Sequence, residues 1–306
     1  MARSGASACT NDRFCYSREV SPETAEGPTT KITFDTQVWN RMVFPERYSD
    51  RPNYAALVKI NGAVRSGQVH GFLCESFGTV ESIKREDRAR FHLQDVPKVQ
   101  VTHKSHGPGL HSMTIDIQAE HSLHPGLTKE FEEELNAALA MGMKLLSAPY
   151  IGVAIPDRLR NNPQIYAEEV FATADYNERF GNVATAIAAR GVGGGALAAL
   201  AKDLTEKLDG PRPPGWRDRE FLYRVYEVAR TSNLKREKEQ IEKVFAESAD
   251  GDLVAAHVAF GNDYLCSDDR GRSALGRSIF DEDNRAWLRT AYGVDILSAQ
   301  QLADLL

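Results

Sequence analysis

Cysteine is scarce in this chain. Only Cys9, Cys15, Cys74 and Cys266 occur among 306 residues, and no two form a CxxC pair. Neither a disulfide framework nor a zinc knuckle is signalled. No apolar run approaches the ~20 residues of a membrane-spanning helix. The opening MARSGASACTNDR has no apolar signal-peptide core. An excess of positive charge is also missing: 37 Lys+Arg face 43 Asp+Glu, a formal net charge of −6. Any nucleic-acid partner would have to meet a local basic surface. These absences lead us to expect a soluble, cytoplasmic protein without membrane association. With 26% charged and 42% hydrophobic residues, the composition is that of a globular chain and excludes a fibrous, collagenous or wholly disordered one. The length suits roughly two domains, or one domain with a large insertion.

Residues 1–30, rich in Ser, Thr, Glu, Pro and Gly, read as a flexible leader. KITFDTQVW (31–39) reads as a first strand finishing in polar Asp35-Thr36-Gln37. A helix over 53–66, a strand QVHGFLC (68–74) and a charged helix over 75–91 follow, the alternation of α/β folds. The middle differs. It holds six of the eight histidines, a strand-like SMTIDIQ (112–118), a helix over 128–146 and Ala-rich helical sequence over 164–208 broken at GVGGGA (191–196). DGPRPPGW (209–216) reads as a linker, and 218–248 as a charged helix. The end returns to α/β texture, with helix 252–261, strand DYLCS (263–267), helix 284–293, strand VDIL (294–297) and a last helix after Ser298.

Acidic residues recur where strands end or helices begin: Asp35, Glu81, Asp250 and Asp269. In an open α/β sheet, ligands bind at the carboxyl ends of the strands. Carboxylates gathered there are hard oxygen ligands suited to Mg²⁺ or Mn²⁺. Such ions activate water and neutralise charge on a phosphodiester.

At these residues the chain resembles the PIN-like nucleases. The resemblance rests on ITFDTQVW, on FLCESFGTVESI and, most specifically, on DGDLVAAHVAFGNDYLCSDD followed by a closing helix, strand and helix. It covers 31–91 and about 236–306, and leaves 92–235 as a mainly helical insertion that resembles nothing familiar. It implies an α/β fold, a PIN-like three-layer sandwich around a mostly parallel central sheet. It also implies metal-dependent endonucleolytic cleavage, more of single-stranded RNA than of DNA, giving a 3′-hydroxyl and a 5′-phosphate. Carried over by position, Asp35, Glu81, Asp250 and Asp269 hold one or two Mg²⁺ or Mn²⁺ ions, and the Ser267 hydroxyl holds a carboxylate or water. Glu75 competes with Glu81, Asp252 with Asp250, and Asp268 with Asp269. The family's Asn after Asp-Thr is Gln37 here. A non-cleaving PIN-like module that binds RNA or protein is the alternative, and an inhibitor protein or self-association stays open.

Plainer readings stand beside these. Asp35 also suits a turn cap, Glu81 an exposed helix position and Asp250 a helix N-cap. His257 suits a packed, hydrogen-bonded histidine better than a catalytic one. Histidines 103, 106, 111, 121 and 124 lack HExxH spacing and neighbouring cysteines, so a polar loop or hairpin is preferred to zinc. GVGGGA follows helical sequence, which fails the context of a dinucleotide or phosphate loop and favours a flexible connection or a close helix contact. Lys84, Arg85, Arg88 and Arg90, with Arg270, Arg272 and Arg277, form either a solvated face or a phosphate-tracking rim.

Overall fold

A computed structural model describes residues 29–80, 82–83, 98–105, 107, 111–118, 127–148, 162–167, 174–207, 235–271 and 277–306. Nearly all of the expected leader, Glu81, Lys84, Arg85, Arg88, Arg90, Arg272, the 209–216 linker and histidines 106, 121 and 124 lie outside these residues.

Short apolar runs form the strands of the main sheet: β1 (Thr30–Phe34), β2 (Val69–Cys74), β5 (Lys144–Leu146), β6 (Tyr264–Cys266) and β7 (Asp295–Leu297). A separate antiparallel hairpin pairs β3 (Lys98–Ser105) with β4 (His111–Gln118). The main sheet runs β5-β2-β1-β6-β7, and every one of these pairings is parallel. The chain therefore steps outward from β1 through β2 to β5, then crosses to the other side of β1 for β6 and β7. The order reverses between β1 and β6, and at such a reversal a crevice opens beyond the strand ends.

Strand residues on one face, among them Ile32, Phe34, Leu73 and Leu145, join a core with α1 (Thr36–Val43), α2 (Tyr54–Arg65), α4 (Lys129–Ala140) and α9 (Ala299–Leu305). Phe72, Cys74, Leu146 and Leu265 point the other way, into a second core. That core is built with α5 (Ala174–Ala189), α7 (Lys235–Phe260) and α8 (Glu282–Tyr292). Both faces are thus covered, as a parallel sheet requires. The remaining described α-helices are α3 (Phe77–Val80) and α6 (Gly194–Lys207). Under α1, Trp39 meets Phe131 edge-on at 5.2 Å and Phe77 at 5.9 Å.

The structure departs from the sequence reading at several places, among them the helix read over 75–91, of which the described residues form only the short α3. The first strand stops at Phe34. Val38, Trp39, Met42 and Val43 are buried at helical spacing, so Thr36 onward is α1 and not strand. The expected helix over 128–146 ends at Ala140, because Gly142 turns the backbone at φ +90°. Lys144–Leu146 then become the edge strand β5, so the segment read as an insertion supplies part of the sheet. The strand-like 112–118 has a partner at 98–105 that was not assigned as a strand, and the two form the hairpin of the loop-or-hairpin reading. Finally, α7 is one helix of 26 residues. It passes straight through Asp250-Gly251-Asp252, where sequence suggested a break and an N-cap.

Tertiary packing explains that continuity. A Cβ on Gly251 would lie 2.8 Å from the Cα of Gly193, in the turn between α5 and α6. GVGGGA is therefore a close helix contact. Among the described residues no single helix is long and apolar enough to cross a membrane; α5 and the start of α6 pass only as a pair bent by 50°.

Glycine inside a helix ordinarily costs about 1 kcal/mol relative to alanine. At Gly251 the sign should invert. Overpacking against the Gly193 backbone should outweigh the propensity gain, so Gly251→Ala should lose about 1–2 kcal/mol in urea unfolding. An unchanged or raised midpoint would mean that the two backbones part freely.

Candidate active site

Backbone hydrogen bonds extend the parallel ladder one residue past the strands. The Asp35 N–H donates to the Cys266 carbonyl at 2.9 Å, and the Ser267 N–H to the Leu297 carbonyl at 2.9 Å. Asp35 and Ser267 are therefore fixed side by side at the carboxyl ends of β1 and β6, where the strand order reverses. The Ser267 hydroxyl donates to Asp35 Oδ2 at 2.7 Å and accepts the Asp269 N–H at 3.1 Å. One hydroxyl thus ties the first acidic residue to the loop carrying the last.

A cavity of about 120 Å³ opens here, room for several waters. Asp35, Asp250 and Asp269 line it with Thr36, Gln37 and Ser76. Helix α7 contributes Ala246, Ala249, Asp250 and Leu253, at i, i+3, i+4 and i+7 along one stripe. The continuous helix, not a cap, thus delivers Asp250 to the wall. Among the described residues, none from 92–235 lines it.

The alternative acids go elsewhere. Glu75 accepts from the Ser147 hydroxyl and the Ala148 N–H on Oε1, and from the Tyr166 hydroxyl on Oε2. This buried carboxylate braces the β2–β5 edge. Asp268 accepts from Ala299 N–H and Asn53 Nδ2 and so ties α9 to the start of α2. Asp252, expected as an alternative metal ligand, is buried near Cys74 and Tyr176 instead of lining the cavity. Two residues along α7 turn the helix by about 200°, which separates Asp252 from Asp250. His257 is buried with Nδ1 3.0 Å from Thr33 Oγ1, a packed role away from the cavity.

Two residues near the site gave no sequence signal. Glu247 lies three residues before Asp250, and its Oε1 accepts the N–H groups of Gly193 and Ile279 at 3.0 and 2.8 Å. Burial pushes its carboxyl up, partly countered by those hydrogen bonds. Arg285, on α8, donates through Nη2 to the Asp269 carbonyl and through Nε to the Phe280 carbonyl.

Burial pushes Asp35 up to about 6; the Ser267 hydroxyl lowers it, the Asp269 charge raises it, and the N–H groups of Thr36 and Gln37 lower it again. Mg²⁺ is commonly held by one or two carboxylates and keeps several waters. Hard oxygen donors around a cavity of this size fit that pattern. Among the described residues, no three His, Cys, Asp or Glu side chains are grouped closely enough to hold an ion. The same residues offer no zinc site.

Comparison with protein-family models, curated proteins and solved structures finds no match.

Two shifts oppose each other in the metal-free protein. Asp35 is raised from 3.8 to about 6, so its contribution is greatest below pH 3.8 and is lost as pH rises through 6. Burial pushes His257 down from 6.5 to about 4, so its contribution is present above 6.5 and lost as pH falls through 4. Asp35→Asn removes only the first. The variant should gain stability over the wild type progressively between pH 4 and 6, reaching on the order of 2–3 kcal/mol at neutral pH. Chemical unfolding in EDTA across that range measures it; a pH-independent difference would show that Asp35 is not held at a raised pKa.

Proposed function

We propose that the protein is a metal-dependent nuclease of the PIN-like kind that cleaves phosphodiester bonds in single-stranded RNA. One observation carries the reading. Three aspartates from distant segments, Asp35, Asp250 and Asp269, line one cleft at the reversal point of a parallel sheet. The resemblance at ITFDTQVW and DGDLVAAHVAFGNDYLCSDD supports it.

One or two of Asp35, Asp250 and Asp269 would ligate the ion directly and the others through its waters, since no three described carboxylates are grouped closely enough to hold it together; Glu81 is the fourth carboxylate of the family pattern. A bound Mg²⁺ or Mn²⁺ supplies an activated water and neutralises charge on the phosphate. The chain's own residues do the positioning. Ser267 fixes the Asp35 carboxylate and, through the Asp269 N–H, the approach of the Asp269 loop. Ala246 and Ala249 keep the α7 wall shallow, leaving space for a phosphate. The raised pKa of Asp35 makes binding of a cation pH-dependent, because the carboxylate must lose its proton first.

Purified protein should cut labelled single-stranded RNA with Mg²⁺ or Mn²⁺ and leave 5′-phosphate ends. EDTA, Asp35→Asn or Asp269→Asn should lower the rate by at least about a hundredfold. The metals should also raise the melting temperature by several degrees through binding to the folded state. Asp250→Asn should lose most of that shift. RNA binding without cleavage would favour the non-cleaving module, and a full metal shift in Asp250→Asn would remove Asp250 from the ligand set.

A further inference from the structure

Arg285 is held in an unusual setting for a surface-helix arginine. Its guanidinium is anchored to two backbone carbonyls, those of Phe280 and Asp269, and lies over the Phe280 ring. The peptide bond made by that same Asp269 carbonyl belongs to Arg270, whose side chain is exposed. Two cationic residues thus meet on the loop that carries Asp269. Burial and the Arg270 charge both push Arg285 down, while Asp269 and Asp35 push it back up. The guanidinium is therefore close enough to feel both cavity carboxylates.

A guanidinium has five N–H donors in a planar fork. Two are used by the carbonyls, and among the described residues the other three have no protein acceptor. The anchoring bonds fix the plane of the fork without neutralising its charge. Two cations held together gain from an anion placed between them. A phosphate oxygen pair matches the fork bidentately. A chain with net charge −6 needs such a local cationic point to approach a polyanion.

We propose that Arg285 and Arg270 form a phosphate clamp on the Asp269 side of the cleft, gripping one backbone phosphate of a single-stranded RNA. The identity of the ligand rests on the nuclease reading; the clamp itself rests on the anchored fork and its neighbour. Arg285 acts as a preorganised fork, and Arg270 as the mobile second cation that closes on the phosphate.

The test is fluorescence-anisotropy titration of a labelled single-stranded RNA with the full chain in EDTA, at several salt concentrations. Each phosphate contact to a single strand contributes about 0.7 to the slope of log K against log salt. Arg285→Gln and Arg270→Gln should each lower the slope by about that amount. Each should also weaken binding on the order of tenfold. Arg270 makes no described structural hydrogen bond, so Arg270→Gln decides the matter if Arg285→Gln loosens the fold. Unchanged slope and affinity in Arg270→Gln, or no binding by the wild type, overturns the clamp. Cleavage assays on the same proteins separate the two ideas. Arginine-dependent binding without metal-dependent cleavage keeps the clamp and removes the nuclease. Cleavage with arginine-independent binding does the reverse.

Discussion

The hydrogen bond from Ser267 to Asp35, 2.7 Å across the seam between β1 and β6, is the constraint on which the site depends. It forms only if two segments more than 230 residues apart in sequence lie in parallel register. The register is set by alternation: Ile32 and Phe34 must face one core while Leu265 faces the other. A slip of one residue would reverse both strands' faces and separate the hydroxyl from the carboxylate. The apolar pattern of two short strands thus determines the position of a polar pair that contributes little to the core itself.

Helix α7 carries the same logic onto the third segment. Its course through Asp250-Gly251-Asp252 is set by the approach of Gly193, at a distance that no side chain would permit. Glu247 reinforces the contact by accepting the Gly193 N–H, and through Ile279 it reaches the far end of the loop that bears Asp269. The segments bearing Asp250 and Asp269 are therefore linked through Glu247. The glycine contact fixes the helix axis, and the buried glutamate fixes the loop against it.

How much of this was legible in the sequence follows from the range of the forces involved. Asp35 and Asp269 could be placed because a strand end is marked locally, by an apolar run meeting polar residues. Gly293 at φ +70° and the Ser298–Gln301 capping box were legible for the same reason. Lys144–Leu146 was not, since three apolar residues after an amphipathic helix read as more helix until the sheet edge supplies their partners. Asp250 was read as the start of a helix, a cap it does not make; a local Asp-Gly-Asp signal lost to tertiary packing. Glu247 and Arg285 were invisible because their partners are backbone groups brought near only by the fold. Glu75 and Asp252 show the converse: suitable residue types in suitable stretches, carried elsewhere by burial.

The acids around the site differ in their partners and in whether they face the cavity. Glu75 has three donors on its two oxygens, Asp268 has two, and Glu247 has two backbone N–H groups. Glu247 is nonetheless pushed up by burial, which its hydrogen bonds only partly counter. Asp35 is buried as well, with the Ser267 hydroxyl and the N–H groups of Thr36 and Gln37 as donors, but the Asp269 charge lies nearby and burial outweighs the hydrogen bonds. A purely structural role at this position would be served at lower cost by asparagine, which keeps the bond to Ser267 and carries no charge. Retaining the acid leaves a carboxylate turned toward a cavity with unanswered charge. Such strain is common where a ligand completes the electrostatics. In this site a cation on the Asp35 side and an anion on the Arg285 side would each relieve a repulsion already built into the fold. Under the proposed nuclease reading, a metal ion and a phosphodiester would supply that cation and that anion.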